Sequence, residues 1–318
     1  MIETKEISYD GWKAVQMGDK DLVLTLVPSL GGRIMSCRFK GQELFFQHPL
    51  LRGKVHWGES EKKKTQDAFP LWGGDKTWIA PQSKWSHQVP YPVLDSGNYD
   101  WEWEKQHSDH AQISMVSDVC QDTGLKIRRK VSMDTAEPYR WLVRHEITQV
   151  VKPKESGWGV WNVCMVKRPA KVFLPISPEV APSCKIFDHE GESRKRFEQV
   201  VQTSGQGILV SASEDIEFKY GTKSLYPWIV SAIGEETYRL GLGKRFVVQT
   251  DHETMWPDDC SVEVYNSAKY NYFEMELLSP MQELEVGQVY AVEEECRIKE
   301  FSSQPEWEHI NQWVSQWR

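Results

Sequence analysis

No stretch of the chain reaches the roughly 18 to 20 uninterrupted apolar residues needed to span a bilayer. The opening MIETKEISYDGWK is polar and acidic, without the apolar core of a secretory leader. A cytoplasmic location with no membrane partner is therefore expected. Paired cysteines are missing as well. Cys37, Cys120, Cys164, Cys184, Cys260 and Cys296 are scattered with no Cys-x-x-Cys, and several lie inside apolar runs such as RIMSCRF and WNVCMV. That pattern argues against a zinc site and fits buried free thiols in a reducing compartment. Positive charge is not in excess: 38 Lys+Arg against 46 Asp+Glu give a formal net charge of −8. This is the wrong sign for neutralising phosphates, so no nucleic-acid partner is expected. A G-x-S-x-G elbow, a phosphate-binding loop and a dinucleotide fingerprint are all lacking, and no cofactor is expected. The one histidine-rich run, HSDH (His107, Asp109, His110), falls in an expected hairpin turn without a distant partner ligand, so no metal is expected.

Helical periodicity is also scarce. The segments DLVLTLVP, RIMSCRF, QISMVSDV, LKIRRKVSM, YRWLVRHEITQV, WGVWNVCMV, GILVSAS, DIEFKY, SVEVYNS, YFEMELLSP and VYAVEEECRI read as strands of four to ten residues, separated by Gly, Pro, Asp, Asn and Ser. This pattern predicts an all-β, antiparallel sandwich. No linker, repeat or low-complexity tract divides it, so one domain over residues 1–318 is expected, as a monomer or homodimer. The tail PEWEHINQWVSQWR is the exception. Trp307, Ile310, Trp313 and Trp317 recur every three to four residues after Pro305, predicting a short C-terminal amphipathic helix packed on the sandwich or on a second subunit.

What the chain has in abundance is tryptophan. Its 15 residues are roughly three to four times average usage. An indole offers a flat face for the C–H side of a pyranose ring and one N–H donor, although any single Trp can equally be core filler. Five tryptophans fall between residues 57 and 101, where strand alternation is weak and Pro, Gly, Asp and Lys are dense. A long irregular stretch this aromatic is expected to be an ordered binding loop.

Three segments in order, VPSLGGRIMSCRFKGQELFF (27–46), GWGVWNVCMVKRPAKVFLP (157–175) and YFEMELLSPMQELEVGQ (272–288), resemble the galactose mutarotase-like superfamily, which contains the aldose 1-epimerases. With its GGDKTW and Glu-x-Glu strand, the chain looks most like a subfamily of unassigned function. The resemblance implies a galactose mutarotase-like supersandwich and a sugar or sugar-derivative ligand. It has a gap: where aldose 1-epimerases carry two histidines, in a His-Gly-Gly turn and a His-Pro-Tyr-Phe motif, this chain reads Trp72-Gly73-Gly74 and Val160-Trp161-Asn162.

Mutarotation needs a base for the anomeric hydroxyl and an acid for the ring oxygen. In YFEMELL, period two puts Glu274 and Glu276 on one face and Phe273, Met275 and Leu277 on the other, so two carboxylates are expected to face a cleft. Each should raise the other's pKa if both are dry. Glu276 matches the place of the family's base. Lys76, or His87 in the Trp-rich loop, stands in for the missing acid. Arg33, after Gly31-Gly32, is expected either to contact sugar hydroxyls or to pair with a neighbouring carboxylate. In GGDKTW, Lys76 and Trp78 share a side if the piece is extended and form a sugar platform, with Asp75 hydrogen-bonding from the turn. On 158–166, Trp158 and Asn162 point one way and Trp161 and Met165 the other, with Trp161 favoured for the site. Lys244, in GLGKRF, is read as a turn lysine, either exposed or neutralising an anionic sugar. His145 shares its face with Trp141, Val143 and Ile147 and is expected in the core or at an edge. The expected function is acid/base catalysis at the anomeric centre of a sugar. Its rivals are a non-catalytic carbohydrate binder or sensor, and a polysaccharide lyase or hydrolase using Arg33, Lys76 and Lys244.

Overall fold

In a computed structural model, all residues are described except 153–154, 177–184, 188–197, 213–215, 235–236, 252 and 318; for 185–187 only the backbone is described. Two antiparallel sheets carry the fold. The first runs, edge to edge, Glu3–Tyr9, Trp12–Gly18, Leu22–Val27, Arg33–Phe39, Asp75–Ala80, Gly159–Lys167, Tyr272–Leu278, Val262–Asn266, Phe218–Thr222 and Lys185–Phe187, with the short strand Gln42–Glu43 beside Arg33–Phe39. The second runs Val201–Ser204, Gly207–Ala212, Ala170–Leu174, Trp228–Ile233, Leu240–Val247, Val289–Glu300, Arg140–Gln149, Leu125–Asp134, His110–Ser117 and Tyr99–Gln106. The N-terminal strands lie in the first sheet, and the long strand Val289–Glu300 near the C-terminus is central to the second.

Alternation explains which face of each strand is inside. Leu125, Ile127, Val131 and Met133 point into the sandwich, as do Val143 and Ile147 on the next strand, and Phe273, Met275 and Leu277 on the opposite sheet. These residues form one apolar cluster shared by both sheets. Cys37, Cys120, Cys164, Cys260 and Cys296 are buried free thiols; Cys184 lies outside the described residues. The HSDH run makes the hairpin turn between Tyr99–Gln106 and His110–Ser117.

The tail forms the helix Trp307–Ser315, which packs on the outer face of the second sheet, against Phe173, Trp228, Val230 and Ala232. Gly243 makes room for it: a Cβ there would lie 2.2 Å from the Trp317 ring. No helix among the described residues is long and apolar enough to cross a membrane.

Two expectations need correction. The stretch 57–100 is not all loop: Asp75–Ala80 is a buried strand in the middle of the first sheet. Its residues are buried on both faces, so no polar–apolar alternation marked it. Lys244 is not in a turn or exposed. It sits within the strand Leu240–Val247, fully buried.

Candidate functional site

Register on the first sheet fixes what can meet on its outer face. Lys76 pairs with Val163, Val163 with Glu276, and Glu276 with Glu263, so these four form one row across four strands. In the next row Met165 pairs with Glu274, Glu274 with Tyr265, and Tyr265 with Lys219. On the other side of the first row, Trp78 pairs with Trp161. The rows bring together three carboxylates, two amines and two indoles, and the loop adds more rings. Trp85 packs on Trp78 and Trp161 at 5.5 and 5.6 Å between centroids, and Phe69 meets Trp78 edge-to-face at 5.8 Å.

Glu276 is fully buried. Its Oε2 accepts from Trp161 Nε1 at 2.8 Å and from Lys219 Nζ at 3.0 Å, while Oε1 has no donor among the described residues. Lys219 also reaches Glu263 at 2.9 Å and lies over the Trp161 ring at 4.5 Å. Burial alone would lower the Lys219 pKa, but Glu263 and Glu276 outweigh it and hold the amine charged. Glu274 is pushed up to about 7, chiefly by burial. Lys76 opposes the rise and Glu276 adds to it. Glu263 is likewise pushed up to about 7 by burial, against Lys219 and with Glu276. Lys76 is buried with no hydrogen-bond partner among the described residues; Glu274 Oε1 is 3.7 Å away and the Trp78 ring lies 4.5 Å beneath it. Burial lowers the pKa of this amine, with Glu274 opposing.

The residues that alternate with these point inward and build a second polar cluster, between the sheets. Asp75 lies 2.6 Å from Lys244 Nζ, pairs with Arg129, and accepts from Asn162 Nδ2 at 3.1 Å on both oxygens. Lys244 also meets Glu294 at 2.7 Å. His145 bridges Thr77 Oγ1 at 2.8 Å and Glu294 Oε2 at 2.9 Å. Burial opposes ionisation of Asp75, but Lys244 and Arg129 hold its pKa below the usual carboxylate range. Asp75, Asn162 and Lys244, proposed from the sequence as sugar contacts, therefore face the interior.

Arg33 is also enclosed. It donates to Gly73 O at 2.8 Å and to Asp95 O and Oδ1 at 3.0 and 2.9 Å. Gly73 has φ +104, and a Cβ there would lie 2.0 Å from Phe46 O. Arg33 thus ties the Gly-Gly turn to the short helix Pro92–Asp95, and Asp95 in turn accepts from Trp78 Nε1 at 2.7 Å. Trp158 belongs to the core, its Nε1 donating to Glu155 O at 3.2 Å. His87 is exposed on the loop two residues beyond Trp85. Of the residues singled out from the sequence, Glu274, Glu276, Lys76, Trp78 and Trp161 come together on the outer face.

Glu263, Lys219, Trp85 and Phe69 were missed. The first two had a signal: Glu263 and Tyr265 alternate with Val262 and Val264, and Lys219 alternates with Phe218 and Tyr220, the same pattern that revealed the Glu-x-Glu pair.

Residues 13–299 match the family model described as a domain of unknown function (DUF4380). The chain belongs to the DUF4380 family. No curated protein matches it. Among solved structures, this DUF4380 chain is similar to a galactose mutarotase-like protein from Clostridium acetobutylicum, at 11% identity and TM-score 0.57, covering 95% of this chain and 99% of that one. It is also similar to the Slr1438 protein from Synechocystis sp. PCC 6803, at 11% identity and TM-score 0.54, covering 93% and 99%. A third likeness is to a TPR-domain containing protein from Parabacteroides distasonis, at 10% identity and TM-score 0.55; it covers 91% of this chain but 47% of that one. The DUF4380 chain thus has the galactose mutarotase-like fold, as the sequence resemblance implied.

Proposed function

We infer that the DUF4380 chain binds a saccharide on the outer face of the first sheet and exchanges protons at its anomeric centre. Glu276 takes the proton of the anomeric hydroxyl, the C1–O5 bond breaks, and Glu274 gives a proton to the ring oxygen. The resulting open-chain aldehyde rotates about C1–C2 and closes on either face, with the two carboxyls exchanging roles. One observation carries this reading: Glu276 has one oxygen fixed by an indole N–H and an ammonium and the other without a donor, on the same face as Trp78 and Trp161. Glu274, pushed up to about 7, keeps a proton available near neutrality, so neither missing family histidine is needed. Lys76, 3.7 Å from Glu274 and without a hydrogen bond among the described residues, lies above the Trp78 ring, where it is placed to donate to a ring or hydroxyl oxygen. The likeness to a protein described as galactose mutarotase-like supports the ligand class.

The test is two-dimensional NMR exchange between α and β anomers over a panel of aldoses, uronates and sugar phosphates, with wild type and Glu276→Gln. Acceleration for at least one sugar, lost in Glu276→Gln with binding retained, supports the reading. Saturable binding without acceleration for any sugar points instead to a binder or sensor, and no binding overturns the saccharide reading.

A further inference from the structure

Glu274 and Glu276 are the same residue type on the same face of the same strand, yet base and acid are opposite roles. Burial does not assign them. Glu276 is the more enclosed of the two, with none of its surface exposed against 8% for Glu274. Desolvation disfavours the charged form. By itself it would leave the proton on Glu276 and the charge on Glu274, the reverse of what the reaction needs.

The neighbours undo that order. Register sets Glu263 opposite Glu276, and the next strand, Phe218–Thr222, carries Lys219 on the same outer face. Lys219 Nζ stands 3.0 Å from Glu276 Oε2 and 2.9 Å from Glu263 Oε2, held between two carboxyls. Trp161 Nε1 gives the same Glu276 oxygen a second donor at 2.8 Å. Glu274 has weaker support: Lys76 lies 3.7 Å away and makes no hydrogen bond among the described residues. A close, charge-assisted contact favours an ionised carboxyl more than a distant one. Among the described residues, the other titratable groups facing the pair are Tyr265 beside Glu274, with Glu217 at its hydroxyl, and Tyr272 on the Glu-x-Glu strand itself. The strand Gly159–Lys167 brings Val163 and Met165 to these two rows, neither of them charged.

We propose that Lys219 is the positioning residue that makes Glu276 the base and leaves Glu274 the acid: its ammonium, anchored on Glu263, holds Glu276 ionised at neutrality. The assignment rests on the function proposed above for the carboxylate face. Lys219 acts through Glu276 and takes no proton itself. Glu263 competes little for it. Pushed up to about 7 by burial, against Lys219 and with Glu276, Glu263 carries a proton below that value and leaves the ammonium to its neighbour.

Anomer exchange across pH and carboxyl-carbon NMR of the glutamates test this, with wild type, Lys219→Met, Lys219→Arg and Trp161→Phe. In wild type at pH 6 the Glu276 carboxyl should be ionised and the Glu274 carboxyl still protonated; in Lys219→Met that order should reverse. The acid limb of the exchange rate should rise by about one pH unit or more, with exchange at pH 6 down by about tenfold or more. Lys219→Arg restores a cation and should bring the limb back towards wild type. Trp161→Phe, which keeps a ring but loses the donor, should move the limb the same way by less, and it gives the answer if Lys219→Met does not fold. A residue that only supports the fold would lower stability or affinity and leave the limb in place. The proposal is overturned if the limb and the order of the two carboxyls are unchanged in Lys219→Met, or if Glu274 ionises before Glu276 in wild type. Wild-type exchange with an unmoved limb in the variants removes this proposal alone; no exchange for any sugar removes the function with it.

Discussion

Trp161 Nε1 donates to Glu276 Oε2 at 2.8 Å across two neighbouring strands, so the indole that forms one wall of the site also orients the carboxylate in it. Lys219, 3.0 Å from the same oxygen, completes the clamp. The rotamer of Glu276 is thereby fixed before any ligand arrives, which is the preorganisation that proton transfer at a defined atom requires.

Glu276→Gln keeps the shape and still accepts through its amide oxygen, but cannot take a proton. Anomer exchange should fall by about 100-fold or more, while the Kd of the best sugar changes only a fewfold. NMR exchange and calorimetry on one preparation check both.

Glu274 sets the pH dependence of the rate. As the proton donor, with a pKa pushed up to about 7, it loses its proton above that value, so exchange should decline as pH rises through about 7. Glu274→Gln should be slow throughout and lack this limb in its pH–rate profile.

The same shift acts on stability with a definite sign. Between the ordinary value of 4.5 and about 7, Glu274 and Glu263 hold protons in the folded state that the unfolded chain has released. Stability should therefore decrease as pH rises across that window. In Glu274→Gln the decrease should be shallower. Urea unfolding at pH 5 and pH 7 for both proteins measures it.

Lys244→Met removes the cation that faces Asp75 and Glu294 between the sheets. Breaking a buried ion pair from one side leaves uncompensated charge and should cost about 3–5 kcal/mol. Chemical denaturation reads the loss, which should far exceed that of Lys223→Met at the rim, where the ion pair with Asp259 is half open to solvent.

Trp313→Ala empties the contact between the C-terminal helix and the outer face of the second sheet. A loss of about 3–5 kcal/mol is expected. Sugar affinity should not change, because that face belongs to the other sheet.

The Glu-x-Glu strand is legible because two-residue alternation needs only the local backbone, whereas the Lys76–Trp78 pair follows only on the condition that its segment is extended. The interior cluster left a fainter trace of the same kind. Arg129 sits in the buried series Leu125, Ile127, Val131, Met133; Lys244 in Leu242, Phe246; and Glu294 in Val292, Cys296, Ile298. Each occupies a slot where period two calls for an apolar residue. His145 shares the series Trp141, Val143, Ile147, which predicts a core or edge position, and it is fully buried.

Sequence alone determined the all-β sandwich, the terminal amphipathic helix and the alternation along strands such as Tyr272–Leu278, because these follow from short-range periodicity. Only the tertiary structure decided which faces meet. It put Lys244 of one sheet against Asp75 of the other, 169 residues away, and withdrew Asp75, Asn162 and Lys244 from the outer face. It also set Glu263 beside Glu276 and brought Trp85 onto Trp161. Those pairings depend on strand order and register between distant segments, and no local pattern encodes that order.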